Sequence, residues 1–151
     1  MGGSCVGVLG YAGMCKSDAS TTPCPCGQTG AAKKPLAYAD CCGRFIDAFD
    51  TTPAPDAQSL MRSRYSAFVL ERADYIRATW DAANYPPDFA IQPGAKWLGL
   101  EVRATRSTGA DSAEVEFVAR YRVDGRAVRV HERSRFVRRG GRWIYMDGDA
   151  L

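Results

Sequence analysis

V-R-V-H-E-R-S-R-F-V, residues 128–137, separates into two interleaved sets. Val128, Val130, Glu132, Ser134 and Phe136 point one way, and Arg129, His131, Arg133 and Arg135 point the other. Successive side chains of a strand leave opposite faces, so this is the period-two pattern of a half-buried β-strand. Each face carries an anomaly. The apolar side includes a carboxylate, and the polar side is almost wholly basic.

The flanking residues give this strand two partners. Asp124-Gly125 is a two-residue hairpin signal, because both positions tolerate positive φ. It sets Tyr121 against Val128, Ala119 against Val130 and Phe117 against Glu132. Gly140-Gly141 makes a second such turn and predicts Phe136 opposite Tyr145 and Ser134 opposite Asp147. Upstream, A-E-V-E-F-V-A-R-Y-R-V turns Val115, Phe117, Ala119, Tyr121 and Val123 inward. Before it, W-L-G-L-E-V-R-A-T puts Leu98, Leu100, Val102 and Ala104 on one side, and a turn lies around Ser107 to Asp111. The expectation is a four-stranded antiparallel meander.

That register has a consequence on each face. Outside, Glu116 meets Arg133 and Glu114 meets Arg135, opposed pairs that each stabilise a sheet by roughly 0.2–1 kcal/mol. Arg120 and Arg129 face each other, with Arg122 and His131 beside them, forming either a solvated basic face or a weak anion or nucleic-acid surface. Aromatic residues are not interleaved there to stack on bases. Inside, Glu132, Ser134 and Asp147 gather on a surface that is otherwise apolar. A buried carboxylate needs a partner, and Arg62 or Arg64 on an upstream helix can supply it. The group is either a buried ion network docking helix to sheet or a pocket bordered by Tyr65 and Phe117. His131, the one histidine of the chain, points outward, so a Ser-His-Asp or Cys-His arrangement finds no support.

The helices precede the strands. Asp50–Gln58, with Pro53 and Pro55, is a connector, and Asp56 suits the positive end of a helix that follows. In L-M-R-S-R-Y-S-A-F-V-L, Met61, Tyr65, Phe68 and Val69 recur at helical spacing, with Arg62 and Arg64 on either border. A second helix, A-D-Y-I-R-A-T-W, puts Tyr75, Ile76, Thr79 and Trp80 on one face, and the Pro-rich stretch Asn84–Gly94 is a loop.

Nearer the N-terminus, Cys24 and Cys26 in C-P-C-G and Cys41 and Cys42 in C-C-G-R-F form two tight pairs. Clustered cysteines in a reducing compartment point to metal, and adjacent cysteines make a strained disulfide. Four thiolates suit a structural Zn²⁺ with no open coordination position, while two disulfides or a redox pair are the alternatives. Cys5 and Cys15 receive no role.

The chain's 151 residues are enough for one core with appendages. Its charge is uneven: residues 96–142 hold twelve basic and six acidic side chains within a chain of net charge +3. No apolar run reaches the length of a membrane span. The Gly-rich start lacks the basic region of an export signal, so the expectation is a cytoplasmic protein with a poorly ordered extension over residues 1–22.

The motifs C-P-C-G, C-C-G-R-F, L-M-R-S-R-Y-S-A-F-V, W-L-G-L-E-V and H-E-R-S-R-F with G-R-W-I-Y-M-D-G closely resemble the YchJ-like family of uncharacterised bacterial proteins. The resemblance implies a SEC-C-type zinc motif over residues 23–46 and a nuclear-transport-factor-2-like cone over residues 50–151. The fold class is then α+β, with helices on a curved antiparallel sheet and a cavity between. SEC-C motifs elsewhere, as in the tail of the SecA translocation ATPase, act as zinc-held protein-docking knobs. Such a knob implies an interaction module for a protein or ribonucleoprotein partner, and the cone offers a small-molecule or enzymatic pocket as the alternative. The chain departs from the family in a fourteen-residue gap between its cysteine pairs where eight is usual. It also has Asp81 where many relatives carry histidine.

Overall fold

The computed structural model describes residues 22–151. The expectation of a poorly ordered extension, and Cys5 and Cys15, therefore lie almost wholly outside the described residues. Two 3₁₀ turns at Ala31–Lys33 and Tyr38–Asp40 lead into a short helix α1 (Gly43–Ile46), followed by α2 (Ala57–Val69) and α3 (Ala73–Ala78). Four strands follow: β1 (Lys96–Gly109), β2 (Ser112–Val123), β3 (Arg126–Arg139) and β4 (Arg142–Ala150). They form one antiparallel sheet in the order β1-β2-β3-β4. The protein is α+β, with the helices packed on one face of a meander.

Both tight turns follow from left-handed backbone. Asp124 and Gly125 have φ of 51° and 75°, and Gly140 and Gly141 have 57° and 80°, the geometry whose twist matches flanking strands. The resulting β2–β3 register pairs Phe117 with Glu132, Ala119 with Val130 and Tyr121 with Val128.

Three bulges change which side chains reach the core. In β1, Leu98 is an extra residue between Trp97↔Tyr121 and Gly99↔Arg120, and Arg103 is another between Val102↔Phe117 and Ala104↔Glu116. Each extra residue reverses the alternation downstream. The inward set is therefore Trp97, Leu100 and Val102. Leu98 and Ala104, expected beside Leu100 and Val102, face out, Leu98 with 49% of its surface exposed. In β4, Phe136 pairs with Tyr145 as expected, but Met146 is extra, so Arg135 opposes Asp147 and Ser134 opposes Gly148. Asp147 is thus turned to the outer face, where Arg135 Nε donates to it at 2.6 Å.

Helix α2 is the main cover of the inner face. Asp56 caps it, its Oδ1 accepting from Ser59 N at 2.7 Å, which satisfies one of the free donors of the first turn. Leu60, Met61, Tyr65 and Ala67 are buried, in one core with Val115, Phe117, Ala119 and Phe136. The stretch after α3 runs along β4: Tyr145 N donates to Thr79 O at 2.8 Å and Asp81 N to Tyr145 O at 2.9 Å. That pairing brings Trp80 beside Tyr145. Among the described residues no helix is long and apolar enough to cross a membrane.

Candidate functional site: an aromatic cavity and a four-cysteine knob

Between α2, the loop through Ala90–Ala95 and the inner face of the sheet lies a cavity of about 330 Å³. Positions 61, 64, 65 and 68 share one face of a helix, so α2 contributes Met61, Arg64, Tyr65 and Phe68 to the wall. Inward positions of the strands contribute Trp97, Phe117, Ala119, Tyr121, Glu132, Ser134 and Tyr145. The aromatic rings brace one another. Trp97 lies 5.4 Å from Tyr65, 5.8 Å from Phe68 and 4.6 Å from Tyr121 between ring centres.

The polar end of the cavity is built around Arg64, which is only 6% exposed. Its guanidinium lies 4.6 Å from the Tyr145 ring centre and 5.1 Å from that of Trp80, in cation–π range of both. Nη1 donates to Ile76 O at 3.0 Å and to Thr79 Oγ1 at 2.7 Å. Nε and Nη2 donate to nothing among the described residues. Burial pushes the Arg64 pKa down to about 10, against the nearby Tyr145, Tyr75 and Glu132, which favour its charge. It remains cationic at neutral pH.

Glu132 stands on the same wall. Its Oε2 accepts from Tyr145 Oη at 2.7 Å and from Ser134 Oγ at 3.0 Å, while its Oε1 has no partner among the described residues. Burial, then the Glu132 charge, raises the Tyr145 pKa above the ordinary phenol value, so Tyr145 donates rather than ionises. Among the described residues Glu132 makes no salt bridge, and its charge acts on Arg64 only through space. The carboxylate fits because Gly148 lies beside it, where any Cβ would fall on the Glu132 side chain.

Two of the residues expected at this site are elsewhere. Asp147 faces out because of the Met146 bulge. Arg62, two positions from Arg64 and so about 200° around the helix, turns to the cysteines and donates to Cys26 O at 3.2 Å. Trp80, Trp97, Tyr121 and Tyr145 were not singled out as pocket residues by sequence reasoning. The signal available for Tyr145 was its place opposite Phe136.

The cysteine knob packs against the other side of α2. The Sγ atoms of Cys24, Cys26, Cys41 and Cys42 all lie within 4.8 Å of one another, and all four residues are buried. The thiols are free. Tetrahedral thiolate coordination at a metal–sulfur distance of about 2.3 Å separates sulfurs by roughly 3.8 Å, and Cys26 and Cys41 are 3.6 Å apart. The donor set therefore fits a tetrahedral metal ion. Burial and the neighbouring sulfurs push the Cys41 thiol up to about 12, so its thiolate form calls for a nearby cation. Leu36 N donates to Gln28 O and Cys24 N to Leu36 O, at 3.0 and 2.8 Å. A bridge between Thr29 and Pro35 closes the base of the intervening excursion, so the long gap leaves the cysteine pairs together.

On the outer face Arg120 opposes Arg129, and Arg122 opposes Ala127. The expected charge ladder keeps its register but changes partners. Glu114 is bound by Arg106, Glu116 by His131 Nε2 at 2.7 Å, and Arg135 by Asp147 and Asp149. Arg120 comes within 4.0 Å of Glu101. The hydrogen bond from His131 holds the Glu116 carboxyl below its ordinary pKa.

Comparison with known proteins agrees with this architecture. The family described as YchJ, middle NTF2-like domain, matches residues 56–148. A UPF0225 protein of Polaromonas sp. is 65% identical over 127 residues, covering 83% of this chain and 91% of its own. A UPF0225 protein of Bordetella pertussis is 50% identical, covering 90% and 98%. The solution structure of a SEC-C motif containing protein from Rhodopseudomonas palustris superposes with a TM-score of 0.72 at 34% identity, over 86% of this chain and 99% of that one. The crystal structure of a SEC-C motif containing protein from Psychrobacter arcticus gives a TM-score of 0.71 at 32% identity, over 85% and 82%. An NTF2-like match spanning the cavity walls and two SEC-C relatives spanning the knob as well leave one assignment: the chain belongs to the YchJ-like, UPF0225 family.

Proposed function

We propose that this protein binds a small organic molecule in the cone and that the cysteine knob is a zinc-held brace for the helix forming its wall. The observation that carries the reading is Arg64. Burying a guanidinium costs several kcal/mol unless every donor finds a partner. Here two nitrogens face no protein acceptor and are not sealed in the core, opening instead onto an aromatic cavity of about 330 Å³ that the residue lines. Pockets of this size and lining, with few convergent polar groups, are typical of ligand sites. Zinc is the metal that four buried thiolates favour, and free thiols at such a site fit a reducing cytoplasm.

The test is a ligand-observed NMR screen of ring-containing fragments on the metal-loaded protein. Hits should compete with one another and disappear in Ala119→Phe, which fills the cavity. Hits that survive this substitution place binding elsewhere and end the reading.

One observation favours a second role for the knob. The excursion from Thr29 to Pro35 is exposed throughout and carries Lys33 and Lys34, which makes it the natural surface for a protein partner. Cross-linking in cells should then concentrate on Lys33 and Lys34. Cross-links spread evenly over the surface lysines and termini would remove this role.

A further inference from the structure

The charges in the cavity narrow the chemistry of its ligand, granted that the cone binds one. Arg64 and Glu132 are formal charges of opposite sign lining the same cavity. They are not paired with each other. Arg64 offers Nε and Nη2 as free donors, and Glu132 offers Oε1 as a free acceptor, its Oε2 being held by Tyr145 and Ser134. Because the two charges cancel, a ligand with its own net charge leaves one of them opposed and desolvated, which is expensive in a low-dielectric site. A neutral head leaves the balance intact. To satisfy both walls it must accept from the guanidinium and donate to the carboxylate.

We infer that the cone takes a neutral, flat, ring-containing molecule whose head carries an adjacent carbonyl and N–H, as in an aromatic amide or a lactam. The carbonyl accepts from Arg64, and the N–H donates to Glu132 Oε1. The ring packs among Tyr65, Phe68, Trp97 and Tyr121, whose edges and faces already stack on one another. Sites that hydrogen-bond a ligand polar group reject analogues lacking it more strongly than apolar walls reject a change of shape. Discrimination therefore rests on Arg64 and Glu132.

The experiment compares three probes of one shape: 2-naphthamide (neutral), 2-naphthoate (anionic) and 2-naphthylmethylammonium (cationic). Each is titrated into the metal-loaded, full-length protein and followed through the indole N–H resonances of Trp80 and Trp97. The amide is expected to bind at least tenfold more tightly than either ion. Glu132→Gln leaves the Tyr145 and Ser134 hydrogen bonds an acceptor but removes the negative charge. It also puts an NH2 donor where Oε1 accepted, so amide affinity should fall at least tenfold while naphthoate affinity rises at least tenfold, inverting the ranking of the two probes. Binding led by naphthoate or by the ammonium in the unmutated protein overturns this inference and leaves the cone a ligand site. No shift of either indole with any probe overturns the cone reading itself. Should Glu132→Gln fail to fold, the ranking of the three probes on the unmutated protein still decides the matter.

Discussion

Gly148 shows how much a single hydrogen atom decides at the polar end of the cavity. A methyl group there lands on the Glu132 carboxylate, so Gly148→Ala must push Glu132 away from Tyr145 and Ser134. Overpacking of this kind costs about 1–3 kcal/mol. Chemical denaturation should show a loss in that range, and the Tyr145 hydroxyl, freed of Glu132, should titrate at lower pH in an ultraviolet titration. The neighbouring arginines teach a related lesson. Arg62 and Arg64 both bordered the apolar stripe read from the sequence, and either was a fair counter-charge for Glu132. What separates them is the surroundings: α3 supplies Ile76 O and Thr79 Oγ1 on one side, and Cys26 O waits on the other. Periodicity within one helix cannot see those partners. The cysteines were easier, since four identical ligands in two short motifs announce their chemistry locally.

At the scale of elements, the meander was legible because its turns are written in residues that accept positive φ. Its interruptions were not. Alternation continues unbroken through Leu98 and Arg103, and the apolar run W-I-Y-M at residues 143–146 has no alternation to break, so none of the three carries a signal for a bulge. Only Gly99, with φ of 153°, hints at one. Because a one-residue slip reverses every later side chain, the Met146 bulge alone moved Asp147 from the expected pocket to an ion pair with Arg135. Helix α2, by contrast, was marked by its stripe and by Asp56 at its start. Replacing that cap, Asp56→Ala, leaves Ser59 N without its acceptor and should destabilise the protein by about 1 kcal/mol, read as a lower midpoint in urea with an unchanged slope.

For the molecule as a whole, the cysteine knob is not a separate bead on a linker. Cys24, Cys26, Cys41 and Cys42 belong to the same packed core as Leu60, Tyr65 and Phe136, and Arg72 ties Asp47 to the helical layer at 3.0 Å. If the knob holds the proposed metal, its removal leaves four buried thiols that must protonate or separate. Chelation, or Cys42→Ser, should release one metal ion per chain by elemental analysis and destabilise the whole fold, by at least about 3 kcal/mol, in one transition rather than two. A separate, early transition confined to residues 22–46 would show instead that the knob folds on its own.

Helix α2 touches both sites at once. On one side its Ser66 hydroxyl lies 3.5 Å from Cys24 Sγ and Arg62 holds Cys26 O; on the other it lines the cavity with Met61, Arg64, Tyr65 and Phe68. If the knob holds a metal and the cone a ligand, as proposed, two binding events sharing this rod are thermodynamically reciprocal: whatever factor the metal adds to the ligand's affinity, the ligand must return to the metal's. A cavity filled with 2-naphthamide should then raise the chelator concentration needed to strip half of the metal, and a stripped knob should weaken the same probe by an equal factor. The protein would then report, through one helix, on the supply of two unrelated small species.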